Sequence, residues 1–180
     1  MTLLFFVNKL FSFGVVLGHI FITLVVVYVL FLREKYPGLA KFLTKHGLLL
    51  AFLVSLISVL GSLFYSQIAG FAPCELCWFQ RIFMYPLVVL LGMALVKKER
   101  VIIDYALGLL VIGSVISLYH NYVYYMNKGL SAYCQVGGSA TSCVVRYVFE
   151  LGYVTIPMMA LTAFALIIIF LVFTNTKNAG

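Results

Sequence analysis

The chain has 180 residues, of which 64% are hydrophobic and 9% are charged, and its formal net charge is +7. A water-soluble domain of this size could not cover so many apolar side chains with so few polar ones, which excludes the soluble globular classes. The basic residues form no single stripe or patch, so their excess does not indicate nucleic-acid binding.

Five apolar stretches are long enough, or nearly so, to cross a hydrocarbon layer of about 30 Å, which takes roughly 20 helical residues. In chain order the predicted spans are 11–32, 48–69, 78–96, 101–123 and 155–173. The predicted fold is therefore an all-α membrane protein, in which residues 1–180 form a single integral domain of five transmembrane helices in the lipid bilayer.

The basic residues predict how this bundle is oriented. Eight of the twelve lysines and arginines fall on one side, namely Arg33, Lys35, Lys41, Lys45, Lys97, Lys98, Arg100 and Lys177. The positive-inside rule makes that side, with the C-terminus, cytoplasmic. The aromatic run at 119–125 predicts the opposite boundary, because tyrosines are enriched at membrane interfaces. All four cysteines then lie on the extracytoplasmic side, where disulfides persist.

The first two spans carry few polar residues. His19 in span 11–32 is interpreted as a histidine that packs between helices. The segment 33–47 contains Pro-Gly, a turn signal, and is predicted to be a cytoplasmic loop. In span 48–69 a seam of small residues at helical spacing predicts close helix packing in lipid. Its members are Ser55, Ser58, Gly61 and Ser62.

A Cys-x-x-Cys pair, Cys74 and Cys77, precedes the third span, which is predicted to begin near Trp78. Such a pair can close on itself as a disulfide, and positive charge or a helix N-terminus acidifies its thiols. Arg81 follows Cys77 by four residues and shares a helical face with it if the helix already includes Cys77. The arginine has two interpretations. Its positive charge favours the Cys77 thiolate and can hold the oxygen of a reduced, negatively charged ring of a ligand, or its side chain extends to the lipid headgroups.

The fourth span and the loop after it add further candidates. His120 lies at the predicted outer boundary, as an interfacial polar residue or as a proton-handling group beside the redox pair. The loop 126–154 carries Cys134 and Cys143, separated by eight small or polar residues. Apolar residues with helical period at 144–151 predict a short amphipathic helix on the membrane surface.

The cysteines alone leave several functions open. Two pairs on one side of a membrane can relay electrons by thiol–disulfide exchange. A membrane scaffold with structural disulfides is an alternative, although Cys-x-x-Cys closes too small a loop to constrain much of the unfolded chain. A zinc site formed by all four cysteines is another alternative, although the eight residues between Cys134 and Cys143 exceed the usual spacing of zinc ligands. The scarcity of buried acidic residues argues against an ion-coupled transporter.

Several segments resemble the disulfide bond formation protein B (DsbB) family, in its BdbC-type branch of thiol:quinone oxidoreductases. They are Pro-Cys-Glu-Leu-Cys-Trp-Phe-Gln-Arg at 73–81, Met-Tyr-Pro at 84–86, Tyr-His-Asn at 119–121, the later cysteine pair, and Leu-Gly-Tyr-Val-Thr-Ile-Pro at 151–157. The resemblance implies a four-helix core at 48–173, and residues 1–47 then supply an extra span and a cytoplasmic loop. The vitamin K epoxide reductases use similar chemistry, but with a different arrangement of cysteines.

The resemblance also implies an electron path. Cys134 would form a mixed disulfide with a reduced, extracytoplasmic thioredoxin-fold (DsbA-like) oxidase, and Cys143 would pass the electrons on through Cys74. Cys77 would deliver them to a bound quinone, menaquinone or ubiquinone, with Arg81 at the quinone oxygen and His120 beside it. No metal is expected. The implied activity is disulfide bond formation in exported proteins, at the cell membrane.

Overall fold

A computed structural model describes residues 2–32, 38–99, 101–126 and 146–175. This part of the chain contains five helices that are long and apolar enough to cross a membrane, which confirms the predicted all-α fold. Their bounds are α1, Thr2–Val27, ending in a π-helical turn at Tyr28–Leu32; α2, Gly38–Leu63, ending in a second such turn at Phe64–Ile68; α3, Glu75–Lys97; α4, Val101–Tyr125; and α5, Ile156–Asn175.

Four of the helices close a ring. α2 packs on α3, α3 on α4, α4 on α5, and α5 on α2, while α1 lies outside this ring and packs mainly on α5. Each helix runs antiparallel to the one before it, so the start of α3, the end of α4 and the start of α5 meet at one end of the bundle, here named the cysteine end. The core inside the ring is apolar, with Leu87, Leu91, Leu110, Phe164 and Ile167 fully buried.

Small residues allow the helices to approach closely. A Cβ atom at Gly47 of α2 would come within 2.6 Å of the Phe170 carbonyl oxygen of α5, so only glycine fits there. In hydrocarbon, helices associate by such packing and by hydrogen bonds, since lipid tails are as apolar as the side chains. One of these hydrogen bonds runs from Asn121 Nδ2 of α4 to the Pro157 carbonyl oxygen of α5, at 2.9 Å.

The helices α1 and α2 are longer than their sequence patterns predicted. α1 begins at Thr2 and α2 at Gly38, so residues 38–47 are helical and their prediction as loop was wrong. Leu43 is 1% exposed and belongs to the core, which explains why the helix extends over this segment. The basic side chains of Lys41 and Lys45 point away on the exposed face.

The predicted amphipathic helix at 144–151 does not form in its described part. Residues 146–149 are irregular, and Glu150 pairs with Val154 around a tight turn. Leu151 and Gly152 have φ angles of 53° and 79°, a left-handed conformation that ends any helix. Glu150 instead holds Lys9 of α1 in an ion pair of 2.7 Å.

Candidate functional site

The Cys74/Cys77 pair lies at the first turn of α3. Cys74 is the N-cap residue, with φ −74° and ψ 171°, and its carbonyl oxygen accepts the first helical hydrogen bond from the Trp78 N–H at 3.0 Å. The helix therefore begins three residues before the predicted start, and Cys77 and Arg81 do share one face of it. A thiol at a helix N-terminus faces the positive end of the helix dipole, which favours its thiolate.

The two thiols are free and close together. The Cys74 and Cys77 Sγ atoms lie 3.0 Å apart, within hydrogen-bonding distance for sulfur. A disulfide needs about 2.05 Å between them, so a shift of about 1 Å would close the bond. Cys74 is 4% exposed, and Cys77 is partly buried. The pair is thus positioned to interconvert between dithiol and disulfide without a rearrangement of the helix.

His120 of α4 contacts the pair from across the helix interface. Its Nε2 atom lies 3.7 Å from Cys74 Sγ, and its Nδ1 atom lies 3.2 Å from the Gln80 amide nitrogen on α3. Both side chains are buried, the His120 ring at 2% exposure. A Gln80 N–H that donates to Nδ1 leaves the ring proton on Nε2, where it points at the Cys74 sulfur. Gln80 therefore orients the ring and selects its tautomer.

These contacts acidify Cys74, which lies just outside the membrane-spanning part of α3. The hydrogen bond from the Cys77 thiol lowers the pKa of Cys74 below its ordinary value of 9.0, and the His120 ring lowers it further. Burial acts in the opposite direction but is outweighed. The thiolate is the reactive form of cysteine in exchange reactions, so in the reduced site Cys74 is the stronger nucleophile of the pair.

Arg81 lies one turn further along α3. Its Nη2 atom donates to the Ser62 carbonyl oxygen of α2 at 3.1 Å, and its guanidinium stacks on the Trp78 ring at 5.2 Å. Within the described residues the only ion pair joins Lys9 and Glu150, so Arg81 has no carboxylate partner there. An arginine held inside a membrane span without a counter-ion is costly, and this cost is typical of functional positions.

These side chains line one cavity of about 340 Å³ between α1, α2, α3 and α5. Its polar lining includes the site residues Cys74, Cys77, Gln80, Arg81, His120 and Tyr124, together with hydroxyl side chains of Ser58, Ser62, Tyr65, Tyr85, Tyr147 and Thr162. The remaining walls are largely apolar side chains of α1, α2 and α5. Ligand sites are typically cavities of roughly 300–1,000 Å³ with apolar walls and a few convergent polar groups, which describes this one.

The same residues could also hold a metal ion. The sulfurs of Cys74 and Cys77 and a ring nitrogen of His120 all lie within 4.8 Å of one another and offer three soft donors. This set has two cysteines and a histidine, so it differs from the four-cysteine zinc site that the sequence left open. The other two members of that site, Cys134 and Cys143, lie outside the described residues.

The structure brings together Cys74, Cys77, Arg81 and His120, four of the six residues that the sequence nominated. Two contributors, Gln80 and Ser62, had no predicted functional role. Gln80 is a buried amide within the motif, and a polar side chain in an apolar span was the signal that could have found it. Ser62 accepts the Arg81 hydrogen bond and, with Ser58 and Gly61, lines the cavity, so the small-residue seam does more than pack.

The family model described as "Disulfide bond formation protein DsbB" matches residues 44–174. No solved structure matches the chain.

Curated relatives carry the same kind of name. "Disulfide bond formation protein C" of Bacillus subtilis (strain 168) is 42% identical over 123 residues, which cover 67% of this chain and 86% of the relative. "Probable disulfide formation protein C 1" of Bacillus anthracis is 42% identical over 135 residues, covering 73% and 94%. A "Probable disulfide formation protein" of Coxiella burnetii (strain Dugway 5J108-111) is 33% identical over 133 residues, covering 74% and 90%.

Proposed function

Because the chain belongs to the disulfide bond formation protein DsbB family, we propose that it reoxidises an extracytoplasmic thioredoxin-fold (DsbA-like) dithiol oxidase at the expense of a quinone. Membrane disulfide bond formation is the coarser activity that family membership supports. The observation that carries the finer proposal is the shared cavity, in which a reduced Cys-x-x-Cys pair meets an unpaired arginine inside a membrane span.

The cavity suits a quinone in both shape and chemistry. Its walls are mostly apolar, and one lining residue, Tyr124, has a buried hydroxyl with no hydrogen-bond partner among the described residues. A buried hydroxyl without a partner costs about 1–3 kcal/mol, which a ligand oxygen would offset. Arg81 and Tyr124 would hold the quinone oxygens. Closure of the Cys74–Cys77 disulfide releases two electrons and the proton of the Cys77 thiol. With one further proton from the solvent, these would reduce a bound menaquinone or ubiquinone to its quinol.

The residues of the chain have separate tasks in this scheme. Cys77, which shares its helix face with Arg81, is the thiol on the quinone side of the pair. Cys74 is kept as a thiolate by the Cys77 thiol and by the His120 Nε2–H. Gln80 fixes the ring that carries this proton. The apolar walls keep water from the sulfurs, so that electrons leave by one route.

The second cysteine pair would connect this site to the partner protein. A thiolate of the reduced oxidase attacks Cys134 in the Cys134–Cys143 disulfide, which forms the mixed disulfide and frees Cys143. The second thiol of the oxidase then attacks the mixed disulfide, so that the oxidised partner leaves and Cys134 is freed. The Cys134–Cys143 dithiol is then reoxidised by the Cys74–Cys77 disulfide, through Cys74. Each exchange conserves the number of thiols and disulfides, and the two electrons move from the partner to the pair on α3.

The cysteine end is proposed to face the extracytoplasmic side of the cell membrane. Lys41, Lys45, Lys97 and Lys98 all lie at the other end of the bundle, where the positive-inside rule expects them. Labelling of reduced, intact cells with a membrane-impermeant thiol reagent tests this orientation. Modification of Cys134 or Cys143 without permeabilisation is expected, and labelling that requires permeabilised cells would contradict the proposal.

Turnover by the purified protein tests the activity. The full-length chain in detergent is given a reduced thioredoxin-fold oxidase and a soluble quinone, and the loss of quinone absorbance is followed. Cys77→Ser is expected to abolish turnover, because the disulfide can no longer form. A circular-dichroism melt of the same preparation shows whether the variant is folded. Undiminished turnover by a folded Cys77→Ser protein would reject the mechanism, and a wild-type protein inactive with both benzoquinones and naphthoquinones would reject the function.

A further inference from the structure

The helix α1 is an addition to the family core that reaches the candidate site. The family match begins at residue 44, within α2, so all of α1 lies before it. Yet Phe11, Gly14 and Val15 of α1 line the same cavity as Cys77 and Arg81. One wall of the site is thus built from a segment that the family model does not contain.

Specific contacts hold α1 against the core. Tyr65 of α2 donates to the Asn8 side-chain oxygen at 3.0 Å, and the Lys9–Glu150 ion pair closes at 2.7 Å. Further along the helix, His19 Nε2 lies 3.0 Å from the Thr162 hydroxyl of α5. Polar contacts spaced along one helix fix its depth and rotation. The face that α1 presents to the cavity is therefore defined.

Aromatic rings narrow the cavity at the cysteine end. Phe71 stacks between Tyr65 and Tyr147, with ring centroids 5.8 and 4.6 Å apart. Phe11 of α1 fills the space beside Gly61, where a Cβ atom would come within 2.6 Å of its ring. These four rings all line the cavity and lie near its cysteine end. Among the described residues, these rings narrow the cavity at this end, where Ala72 and Tyr147 of the lining are exposed.

The cavity also has exposed lining residues between α1 and α2, far from the cysteine end. Gly14 of α1 and Ile57 of α2 line the cavity and are nevertheless exposed, Ile57 at 54%. A Cβ atom built on Gly14 would meet nothing within 4 Å. Both residues belong to the middle of their helices, at the depth of the lipid tails. The cavity thus opens sideways toward the hydrocarbon, and its lips are Gly14 and Ile57.

We infer that α1 forms the outer wall of the quinone site and that a lipid-dissolved quinone enters between α1 and α2, past Gly14 and Ile57. The inference rests on the proposed function. An apolar quinone tail remains in the lipid while its ring moves toward Arg81, so an opening at mid-membrane depth fits this substrate class. Gly14 is the residue that leaves the opening wide, and a larger side chain there would narrow it.

Binding of a benzoquinone with a decyl tail tests the opening. Trp78 is the only tryptophan in the chain and contacts Arg81, so quenching of its fluorescence reports the ligand. Gly14→Leu improves helix propensity and should leave folding intact. We expect its Kd and its KM for the quinone to rise about tenfold, equivalent to about 1.4 kcal/mol. Gly108→Leu, on an exposed site of α4 with equally free space, is the matched control and should bind as the wild type does.

A second pair of variants narrows the opening from its other lip. Ile57→Phe is expected to weaken binding in the same direction, whereas Ile112→Phe, at a similarly exposed position of α4, is not. If the variants at Gly14 and Ile57 bind like their controls while the wild-type protein turns over, the entry route is wrong and the proposed function stands. A wild-type protein that neither binds nor reduces quinone would refute the function, and the entry route with it.

Discussion

Replacing His120 by alanine should raise the pKa of Cys74. The ring places its Nε2 atom 3.7 Å from Cys74 Sγ, and it lowers this pKa as a hydrogen-bond donor. A hydrogen bond to a charged group contributes about 1.5–3 kcal/mol, and one pKa unit corresponds to about 1.4 kcal/mol. The hydrogen bond from Cys77 survives in the variant, and the N···S distance is long. We therefore expect a rise of about one unit, at the lower end of that range.

Alkylation of the reduced protein measures this shift. Short pulses of iodoacetamide across a pH series, with the Cys74 peptide quantified by mass spectrometry, give the thiolate fraction at each pH. Because the pKa is lowered, the extra stability that the thiolate lends to the reduced fold is fully present above pH 9.0, the ordinary thiol value. It is lost as the pH falls through the lowered pKa. The alkylation profile of His120→Ala should lie at higher pH than that of the wild type.

Two further variants test whether the shift in the pKa of Cys74 comes from the His120 ring or from a general loss of structure. His46→Ala removes a ring that packs on Phe42 of α2, away from the site, and should leave the Cys74 profile unchanged. Gln80→Glu places a carboxylate at His120 Nδ1 and favours the doubly protonated ring, so the profile should move to lower pH. If His120→Ala and Gln80→Glu move the profile in the same direction, or not at all, the reasoning about the ring is refuted.

Three other outcomes follow from the structure. Arg81→Met removes the cation from the cavity and its hydrogen bond to α2, and should raise the KM for quinone about tenfold or more in the turnover assay; an unchanged KM would contradict the assigned role. Phe164→Ala, at a fully buried ring, should cost about 3 kcal/mol in detergent unfolding, whereas Phe13→Ala, at a ring 62% exposed, should cost far less; equal losses would show that the core is misplaced. The Lys9–Glu150 pair is partly exposed, so a double-mutant cycle with Lys9→Met and Glu150→Gln should give a coupling of about 0–1 kcal/mol, and a much larger value would indicate a buried bridge.

The number and order of the spans could be predicted because each is a long apolar run, and apolar length alone decides whether a helix crosses a bilayer. The helix ends could not. Residues 38–47 carry charges typical of a loop, but Leu43 and Gly47 lie on one helical face that packs in the core. A pattern of charges shows what faces water or headgroups, and it does not show where the backbone stops being helical.

The site residues also fall into those that the sequence could predict and those that it could not. The spacing of Cys77 and Arg81 predicted that they share a helical face, because they are four residues apart. The contact of His120 with Cys74 joins residues 46 positions apart, and depends on how α3 and α4 pack. Gln80 needed that packing as well, since its role is a hydrogen bond to a ring on another helix. Local spacing therefore predicted how the Cys-x-x-Cys pair and Arg81 lie on α3, but not which groups of other elements contact the pair.

The packing of α1 on α5 bears on how the protein is made. Helices enter the membrane in the order of synthesis, and these two are the first and the last of the five. The cavity takes walls from both, through Gly14 and Val15 on one side and Thr162 and Ala163 on the other. While residues from 156 onward have not yet been synthesised, the cavity beside Cys74 and Cys77 lacks the wall that α5 supplies. The site is therefore complete only after the last helix has inserted.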